Sequence, residues 1–361
     1  MKVFLIAGAR PNFMKIAPIY RASKQYGEVV CKIIHTGQHY DFEMSQAFFD
    51  DLGLPKPDFY LNAGSGTHAG QTARIMIAFE EVCLKERPDW VVVVGDVNST
   101  LACSIIAKKM LIRVAHVEAG LRSFDLTMPE EINRMVTDAI TDCFFATEES
   151  AVKNLVQEGK RVDQIHLVGN VMIDNLFHQL EKLKEDSVEN LPTFELKRQN
   201  TPYLFLTLHR PSNVDDRETF AGIAEALNEI SLGRPILFPV HPRTRKMIEK
   251  FDIRLSSNIH LLPPLGFRES LFLWKDAEVV LTDSGGLQEE TTALGVPCIT
   301  LRENTERPIT IEEGTNILAG TSPMGILSAY KSFKQGGGKT GRIPELWDGK
   351  ASERIVAVLA E

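Results

Sequence analysis

The most constraining feature of this sequence is a series of short apolar runs that alternates with helical patterns, stops, and then starts again. In the first half such runs include residues 3–7 (VFLIA), 90–95 (WVVVVG) and 143–146 (CFFA). Continuous apolar runs are typical of parallel strands that are covered on both faces, and the intervening helices supply the cover. The first half therefore predicts a doubly wound α/β domain.

The same alternation returns at residues 203–208, 236–240 and 279–282, after a charged segment at 182–201 that has little apolar periodicity. A chain of 361 residues also exceeds the about 250 to 300 residues at which single cores stop growing. We expect two Rossmann-like doubly wound domains that face a central cleft, with ligands at the carboxyl ends of their strands. The expected boundaries are 1–170 together with a carboxy-terminal helix at 348–361, a linker region at 171–200, and a second domain at 201–347.

Charge and composition limit the kinds of partner that this chain is expected to bind. The 40 Lys and Arg against 48 Asp and Glu leave a formal charge of -8, which argues against a nucleic-acid surface. No apolar run reaches the roughly 18 residues of a membrane helix, and the amino terminus lacks the pattern of a signal peptide. The five cysteines show no CxxC spacing, which favours reduced thiols. We expect a cytoplasmic protein with no membrane partner.

Polar side chains follow the first strand and the strand at 90–95. The turn after the first strand, GARPNFMKIAP, supplies Arg10 and Lys15 near a helix start, where two cations suit a diphosphate or the charge on a leaving group. Asp96 stands at the tip of the strand at 90–95. It can cap the following helix or, in a partly buried site, take part in proton transfer.

Further acidic residues follow the next strand, in HVEAGLRSFDLTMPEEINR. Glu118 stands at the strand end, and Glu130 and Glu131 begin the next helix, where they can also serve as plain partners of the helix dipole. Arg134 can be their surface ion-pair partner. If Asp96, Glu118 and Glu130 converge, they provide what proton abstraction from carbon requires: a base, a partner that orients it, and a polar group for the opposite face.

The second half carries a candidate nucleotide site. His209 and Arg210 end one strand and His241 follows the next, all of which can contact a phosphate. In LTDSGGLQEETTALGVP, the backbone of Ser284, Gly285 and Gly286 can approach a phosphate at a helix start. Glu290 lies one turn farther on, where a carboxylate can accept hydrogen bonds from ribose hydroxyls.

The motifs also exclude several kinds of chemistry. No GxGxxG follows a strand, so the sequence supports no nicotinamide cofactor, and no cofactor of another kind is expected. No His or Cys cluster has metal-ligand spacing, and no GxSxG motif or Cys/His nucleophile pattern is present. Metal catalysis and acyl transfer are therefore not expected.

Taken together, these stretches resemble the non-hydrolysing UDP-N-acetylglucosamine 2-epimerases, a family with the two-domain GT-B fold. The resemblance runs through eight motifs in order: GARPNFMKIAP, GDVNSTLA, HVEAGLRS, MPEEINR, TLHR, PVHPR, TDSGGLQEE and RENTERP. It implies a homodimer that acts on a UDP-sugar without a redox cofactor and serves polysaccharide biosynthesis. The implied reaction removes the C2 proton and expels UDP to give a 2-acetamidoglucal, then adds UDP back with protonation of the other face.

The resemblance also implies site residues by matching position. The implied catalytic residues are Asp96, Glu118, Glu130, His209 and Lys15. The residues that match nucleotide contacts are Arg10, His209, Ser284, Gly285, Gly286 and Glu290. Further candidate substrate or UDP contacts are Arg134, Arg210, His241 and Arg307. Which carboxylate abstracts the proton and which donates one stays open.

The sequence departs from the common family pattern at three places. Gln38 and His39 are followed by Tyr40-Asp41-Phe42 where many members have Arg-Glu, in the region that binds an activating second UDP-sugar. Asn12-Phe13 replaces Glu-Ala, and Ile309 stands where a glutamate is frequent. This pattern also resembles enzymes that act on UDP-2,3-diacetamido-glucuronic acid, so the substituents at C3 and C6 of the sugar stay open.

Three other functions are compatible with such a chain: a GT-B glycosyltransferase that uses a UDP-sugar donor, a hydrolysing relative that releases UDP and free sugar, and a non-catalytic UDP-sugar sensor. A transferase requires an acceptor and an epimerase does not. The three carboxylates argue against the sensor.

Overall fold

The computed structural model describes residues 1–37, 46–185, 187–336 and 338–361. The chain forms two compact units, the first made of Met1–Asn175 and Glu345–Glu361 and the second of Leu176–Pro344. The departure from the family pattern at Gln38 to Phe42 lies outside the described residues.

The first unit is built on a seven-stranded parallel sheet in the order β3-β2-β1-β4-β5-β6-β7. Its strands are β1 Lys2–Ala7, β2 Val30–His35, β3 Phe59–Tyr60, β4 Trp90–Val94, β5 Arg113–Val117, β6 Cys143–Ala146 and β7 Ile165–Leu167. Its helices are α1 Arg10–Ser23, α2 Gln46–Leu52, α3 His68–Glu86, α4 Asn98–Lys109, α5 Pro129–Ile140, α6 Glu149–Gln157 and α7 Val171–Glu185, which crosses the boundary between the units.

Burial explains why these segments form strands. All five residues of β4 are buried, as a central strand with helices on both faces requires. The carboxy-terminal helix Ala351–Ala360 buries Ile355 and Leu359 against the same core as Phe13 and Ile16 of α1. Asp174 caps this helix, because its carboxylate accepts the amides of Ala351 at 3.1 Å and Ser352 at 2.6 Å.

The second unit is built on a six-stranded parallel sheet in the order β10-β9-β8-β11-β12-β13. Its strands are β8 Leu204–Thr207, β9 Ile236–Pro239, β10 Ile259–Leu262, β11 Val280–Thr282, β12 Cys298–Thr300 and β13 Asn316–Leu318. Its helices are α8 Phe194–Asn200, α9 Pro211–Val214, α10 Arg217–Ser231, α11 Pro242–Phe251, α12 Phe267–Trp274, α13 Gly285–Leu294, α14 Pro308–Glu312 and α15 Pro323–Gly336. The prediction of two doubly wound parallel sheets is confirmed.

The segment that the sequence suggests as a linker contains regular structure. Helix α7 runs to Glu185, and α8 follows at Phe194–Asn200. The Phe194 ring stacks on Phe272, and Lys197 donates to the Phe272 carbonyl at 2.6 Å. The sequence does not display α8 because its seven residues are mostly polar and are too few for an apolar period.

Among the helices of the described ranges, none combines the length and the apolar character that crossing a bilayer requires.

Candidate active site

The carboxylate-bearing turns of the first unit lie side by side. Strands β1, β4 and β5 are neighbours in the parallel sheet, so the turns that follow them share one edge. Lys15 lies on the helix after β1, Asp96 follows β4 and Glu118 follows β5. The sheet order thus brings together residues that are up to about a hundred positions apart in sequence.

Lys15 and Glu118 form an ion pair at this edge. Lys15 Nζ lies 2.6 Å from Glu118 Oε2, and the two side chains are 14% and 8% exposed. Glu118 has φ of 69°, an unusual backbone conformation for a residue with a side chain and one that is concentrated at functional sites. Gly95 has φ of 67°, a conformation that favours glycine, and a Cβ there would lie 2.9 Å from Lys15 Nζ, so a side chain at this position would displace the lysine.

Arg134 joins Asp96 to α5. Its Nη1 donates to Asp96 Oδ2, and its Nη2 lies 2.8 Å from Glu131 Oε2. Arg134 is therefore a bridge between a strand-end carboxylate and a helix. The alternative of a surface ion pair with Glu130 and Glu131 does not describe it, because its side chain is only 13% exposed.

The adjacent glutamates Glu130 and Glu131 have different environments. Glu130 is exposed on the first turn of α5. Glu131 is buried, and its carboxylate accepts the amides of Ser123 at 3.0 Å and Phe124 at 3.1 Å. Burial alone raises the pKa of Glu131, yet these amides and the Arg134 guanidinium bring it below its ordinary value. Glu131 therefore holds the loop before α5, and Glu130 is the one that can meet a ligand.

The turn after β1 is fixed by Asn12. Its side-chain oxygen accepts the amides of Gly8 at 3.1 Å and Ala9 at 2.9 Å, and its Nδ2 donates to the Val94 carbonyl at 3.3 Å. Asn12 and Phe13 are both buried. These two departures from the family pattern thus face the interior, whereas Arg10, at the start of α1, is exposed.

In the second unit, Asp283 organises the strand ends, and the sequence analysis did not single it out. It is fully buried after β11. Its Oδ2 accepts the amides of His209 at 2.9 Å and Arg210 at 2.8 Å, and its Oδ1 lies 2.9 Å from His209 Nδ1. This arrangement orients the ring so that Nε2 can face a ligand. The available signal was an aspartate ending the strand that pairs with the His209 strand.

His241 follows β9, and its ring centroid lies 6.0 Å from that of His209. Its Nδ1 accepts the Arg243 amide at 3.2 Å and caps α11. Burial, and then the positive charges of His209 and Arg243, lower the pKa of His241. A neutral His241 at physiological pH can donate from Nε2 to a phosphate.

The start of α13 carries the glycines expected at a phosphate. Ser284 is the N-cap residue, and its own amide donates to Thr282 Oγ1 at 2.9 Å. The structure thus uses the Ser284 amide within the turn, in contrast to the expectation that it binds phosphate. Gly285 and Gly286 form the first helical residues, and a Cβ on Gly286 would meet nothing within 4 Å. Open space at a helix start suits an anion.

Charged side chains surround this helix start. Glu306 Oε2 lies 2.7 Å from Arg302 and 3.6 Å from Arg210. The Arg302 guanidinium holds the pKa of Glu306 well below its usual range, at about 2. Arg307 Nε lies 2.8 Å from Glu289 Oε1.

Glu290 is buried on α13 one turn after the glycines. Burial, reinforced by the neighbouring charge of Glu289, raises the pKa of Glu290 to about 8. A carboxyl group that is unfavourable when ionised and lies near a helix start is a candidate ligand contact.

Within the ranges 1–37, 46–185, 187–336 and 338–361, no three His, Cys, Asp or Glu side chains are grouped so that they could hold a metal ion.

The fold and these strand ends define a class: two-domain, doubly wound α/β proteins with nucleotide-type features at their strand ends. The profile of the family described as UDP-N-acetylglucosamine 2-epimerase matches residues 21–360. The chain belongs to this family, and the resemblance inferred from the motifs is confirmed.

Individual relatives agree with this assignment. The chain is 45% identical to the UDP-N-acetylglucosamine 2-epimerase of Methanocaldococcus jannaschii, over 99% of both chains. It is 39% identical to the UDP-2,3-diacetamido-2,3-dideoxy-D-glucuronate 2-epimerase of Pseudomonas aeruginosa, over 100% of both chains. A crystal structure of the M. jannaschii UDP-GlcNAc 2-epimerase in complex with UDP-GlcNAc and UDP matches with a TM-score of 0.84 and 43% identity, covering 100% of this chain and 99% of that one.

Proposed function

We propose that this protein inverts C2 of a UDP-N-acetylamino sugar and converts UDP-GlcNAc to UDP-ManNAc. The observation that supports it most directly is the ion pair between the partly buried Lys15 and the buried Glu118, which shares a sheet edge with Asp96. Epimerisation at C2 requires carboxylates that remove and return a proton on carbon, with a cation beside them. This edge supplies both.

The proposed reaction is an elimination followed by an addition. A carboxylate takes the C2 proton, the C1–O bond to UDP breaks with its electron pair on the phosphate oxygen, and a C1=C2 double bond forms. The phosphate oxygen then adds back to C1 while a proton reaches the opposite face of C2. No electrons leave the substrate, so the reaction requires no redox cofactor.

We assign residues to this reaction as follows. Asp96, Glu118 and Glu130 are the carboxylates from which the base and the acid are drawn, and Lys15 and His209 stabilise charge at the sugar or the leaving phosphate. Substrate and UDP contacts are assigned to Arg10, Arg134, Arg210, His241, Ser284, Gly285, Gly286, Glu290 and Arg307. For Ser284 we assign the side-chain oxygen, because its amide is engaged by Thr282.

A second substrate is favoured by one comparison. The P. aeruginosa relative named for UDP-2,3-diacetamido-2,3-dideoxy-D-glucuronate aligns over the whole chain at 39% identity. Ile309, partly buried on α14, stands where a glutamate is frequent in the family. We therefore keep the 2-epimerisation of that uronic acid as the alternative to UDP-GlcNAc.

Exchange of the C2 proton tests the proposal. In deuterated water, the protein is expected to replace the C2 proton of UDP-GlcNAc with deuterium and to form UDP-ManNAc, as followed by proton NMR. Turnover of the diacetamido uronic acid alone would select the alternative substrate. Release of UDP with no epimeric nucleotide sugar, or exchange with neither substrate, would refute the proposal.

We further propose that the protein is a cytoplasmic homodimer and that α5 lies in the dimer interface. Helix α5 buries polar side chains and exposes apolar ones. Its residues Asn133, Thr137 and Asp138 are buried, while its outward face is apolar. Exposed apolar residues on and before the helix are Phe124, Leu126, Ile132, Met135 and Val136. Such a face favours a partner surface. A second copy fits it because these side chains carry no charge to repel their own kind across a twofold axis.

Replacing Met135 with lysine is expected to shift the protein from dimer to monomer, because the ammonium would be desolvated against an apolar face. Light scattering after gel filtration measures the mass. Leu232→Lys is the matched control, since Leu232 is 80% exposed in the second unit, and its mass should equal that of the wild type. A monomeric wild type, or a dimeric Met135→Lys, contradicts the interface.

A further inference from the structure

His116 is a fully buried histidine on β5 that the proposed reaction does not use. Its Nδ1 lies 2.7 Å from Asp138 Oδ1, and its Nε2 lies 2.9 Å from the Gly95 carbonyl oxygen. Neither His116 nor Asp138 has any exposed side-chain surface. His116 therefore contacts the residue immediately before Asp96.

Asp138 extends this contact to the other strand end. Its Oδ2 accepts the Gly120 amide at 3.1 Å and lies 2.8 Å from Arg122 Nη2. Gly120 is two residues after Glu118, in the turn where Glu118 has its left-handed conformation. Asp138 itself lies on α5, the helix that carries Glu130 and Arg134. The His116–Asp138 pair thus contacts the turns that carry Asp96 and Glu118, and Asp138 lies on the helix that carries Glu130.

The two partners of His116 come from different elements. The Gly95 carbonyl follows β4, and the Asp138 carboxylate projects from α5. Burial raises the pKa of Asp138, but His116 and Arg122 together bring it below the ordinary value. Arg122 offsets the charge of Asp138 and that of Glu158, which Arg122 also contacts at 2.7 Å.

A buried ion cluster stabilises a fold less than apolar packing of the same volume would, because each ion loses its hydration. Such a cluster instead supplies directional hydrogen bonds, which apolar packing cannot. Through His116 and Asp138, the cluster makes hydrogen bonds to the backbone of two strand-end turns, at Gly95 and at Gly120.

We propose that His116 and Asp138 are positioning residues, which hold Asp96 and Glu118 in place through the Gly95 carbonyl and the Gly120 amide. That this positioning serves catalysis rests on the proposed epimerase reaction. Neither residue touches the substrate. They act on the separation and orientation of the two carboxylates.

His116→Phe keeps the ring volume but removes both hydrogen bonds. We expect kcat for C2 exchange to fall about 100-fold, the scale of loss that follows from displacing reacting groups by about 1 Å. KM and the Kd for UDP should change less than about threefold, since the displaced groups make contacts realised in the transition state. Asp138→Asn should keep activity within about tenfold of wild type, because its side-chain amide can accept from the Gly120 amide and donate to His116 Nδ1.

Asp174→Asn is the matched control. Asp174 is another buried carboxylate of the first unit that accepts two backbone amides, and its partners belong to the carboxy-terminal helix. It should lower Tm and leave kcat unchanged. If His116→Phe also lowers Tm without changing kcat, or if Asp138→Asn is as inactive as His116→Phe, the positioning role is wrong.

Two measurements do not depend on activity. A crystal structure of His116→Phe should show the Gly95 carbonyl and the Glu118 side chain displaced by about 1 Å, and unmoved turns would overturn the proposal even if the wild type turned over no UDP-sugar. If the variant does not fold, a crystal structure of the wild type decides. It should show His116 Nδ1 within hydrogen-bond distance of Asp138 and Nε2 within that distance of the Gly95 carbonyl oxygen, and a ring that lacks either contact would refute the proposal.

Discussion

Replacement of Glu118 by glutamine is expected to lower kcat for C2 proton exchange by roughly 10²-fold to 10⁴-fold, the range that a positioned acid or base contributes. The amide has nearly the volume of the carboxylate but neither takes up a proton nor pairs with Lys15, which lies 2.6 Å away. The loss is expected whether Glu118 removes the C2 proton or returns it, because the reaction requires both steps. Deuterium incorporation at C2, followed by NMR, measures the rate.

The affinity for UDP should stay within about threefold of wild type, since the assigned UDP contacts are made largely by the second unit. Glu86→Gln is the matched control. Glu86 forms Lys–Glu pairs with Lys2 and Lys32, at 3.1 and 2.7 Å, in the same unit, and its loss should leave kcat unchanged. An unchanged kcat in Glu118→Gln, or an equal loss in UDP affinity, would remove Glu118 from the chemistry.

The fold was predictable from sequence because its signal is local. Runs such as WVVVV at 90–94 are buried on both faces, and only a parallel sheet between helices gives that pattern repeatedly. The turns after the strands were also readable, because polar residues such as Asp96 and Glu118 interrupt apolar runs. The buried face of α5 could not be predicted in this way. Its apolar residues have a helical period, which usually marks the buried face, whereas here the polar face is the buried one.

The site was only partly predictable, because its contacts depend on strand order. Nothing local indicates that β1 lies beside β4, so the pairing of Lys15 with Glu118 follows from sheet topology. For the same reason Asp283 was overlooked. Its partners, His209 and Arg210, are more than seventy residues away along the chain, and its role becomes visible only when β8 and β11 are paired. The motif resemblance supplied Lys15 and Glu118 as site residues, but not the bonds that hold them.

Glu290→Gln is expected to weaken UDP binding and to stabilise the unliganded protein at alkaline pH. A carboxylate accepts hydrogen bonds from two ribose hydroxyls more strongly than a neutral amide does. We therefore expect the substitution to raise the Kd for UDP by roughly 50-fold. Because the pKa of Glu290 is raised to about 8, the wild-type side chain is mostly protonated at pH 7. UDP affinity should therefore rise with pH and level off above pH 8, and binding at pH 7 should release a proton. Calorimetry in two buffers of different ionisation enthalpy measures both.

The stability effect has a definite sign. A carboxyl group whose pKa is higher in the folded than in the unfolded state lowers the free energy of unfolding progressively as pH rises from the ordinary pKa of 4.5 to about 8. The glutamine cannot ionise, so the unliganded variant should have the higher Tm at alkaline pH. Glu278→Gln, which loses a partly buried pair with Arg234 at 2.7 Å in the same unit, should change neither quantity. If UDP affinity keeps the same pH dependence in Glu290→Gln, a different group is responsible for it. If Glu290→Gln binds UDP as tightly as wild type, the burial of Glu290 serves packing and not ribose recognition.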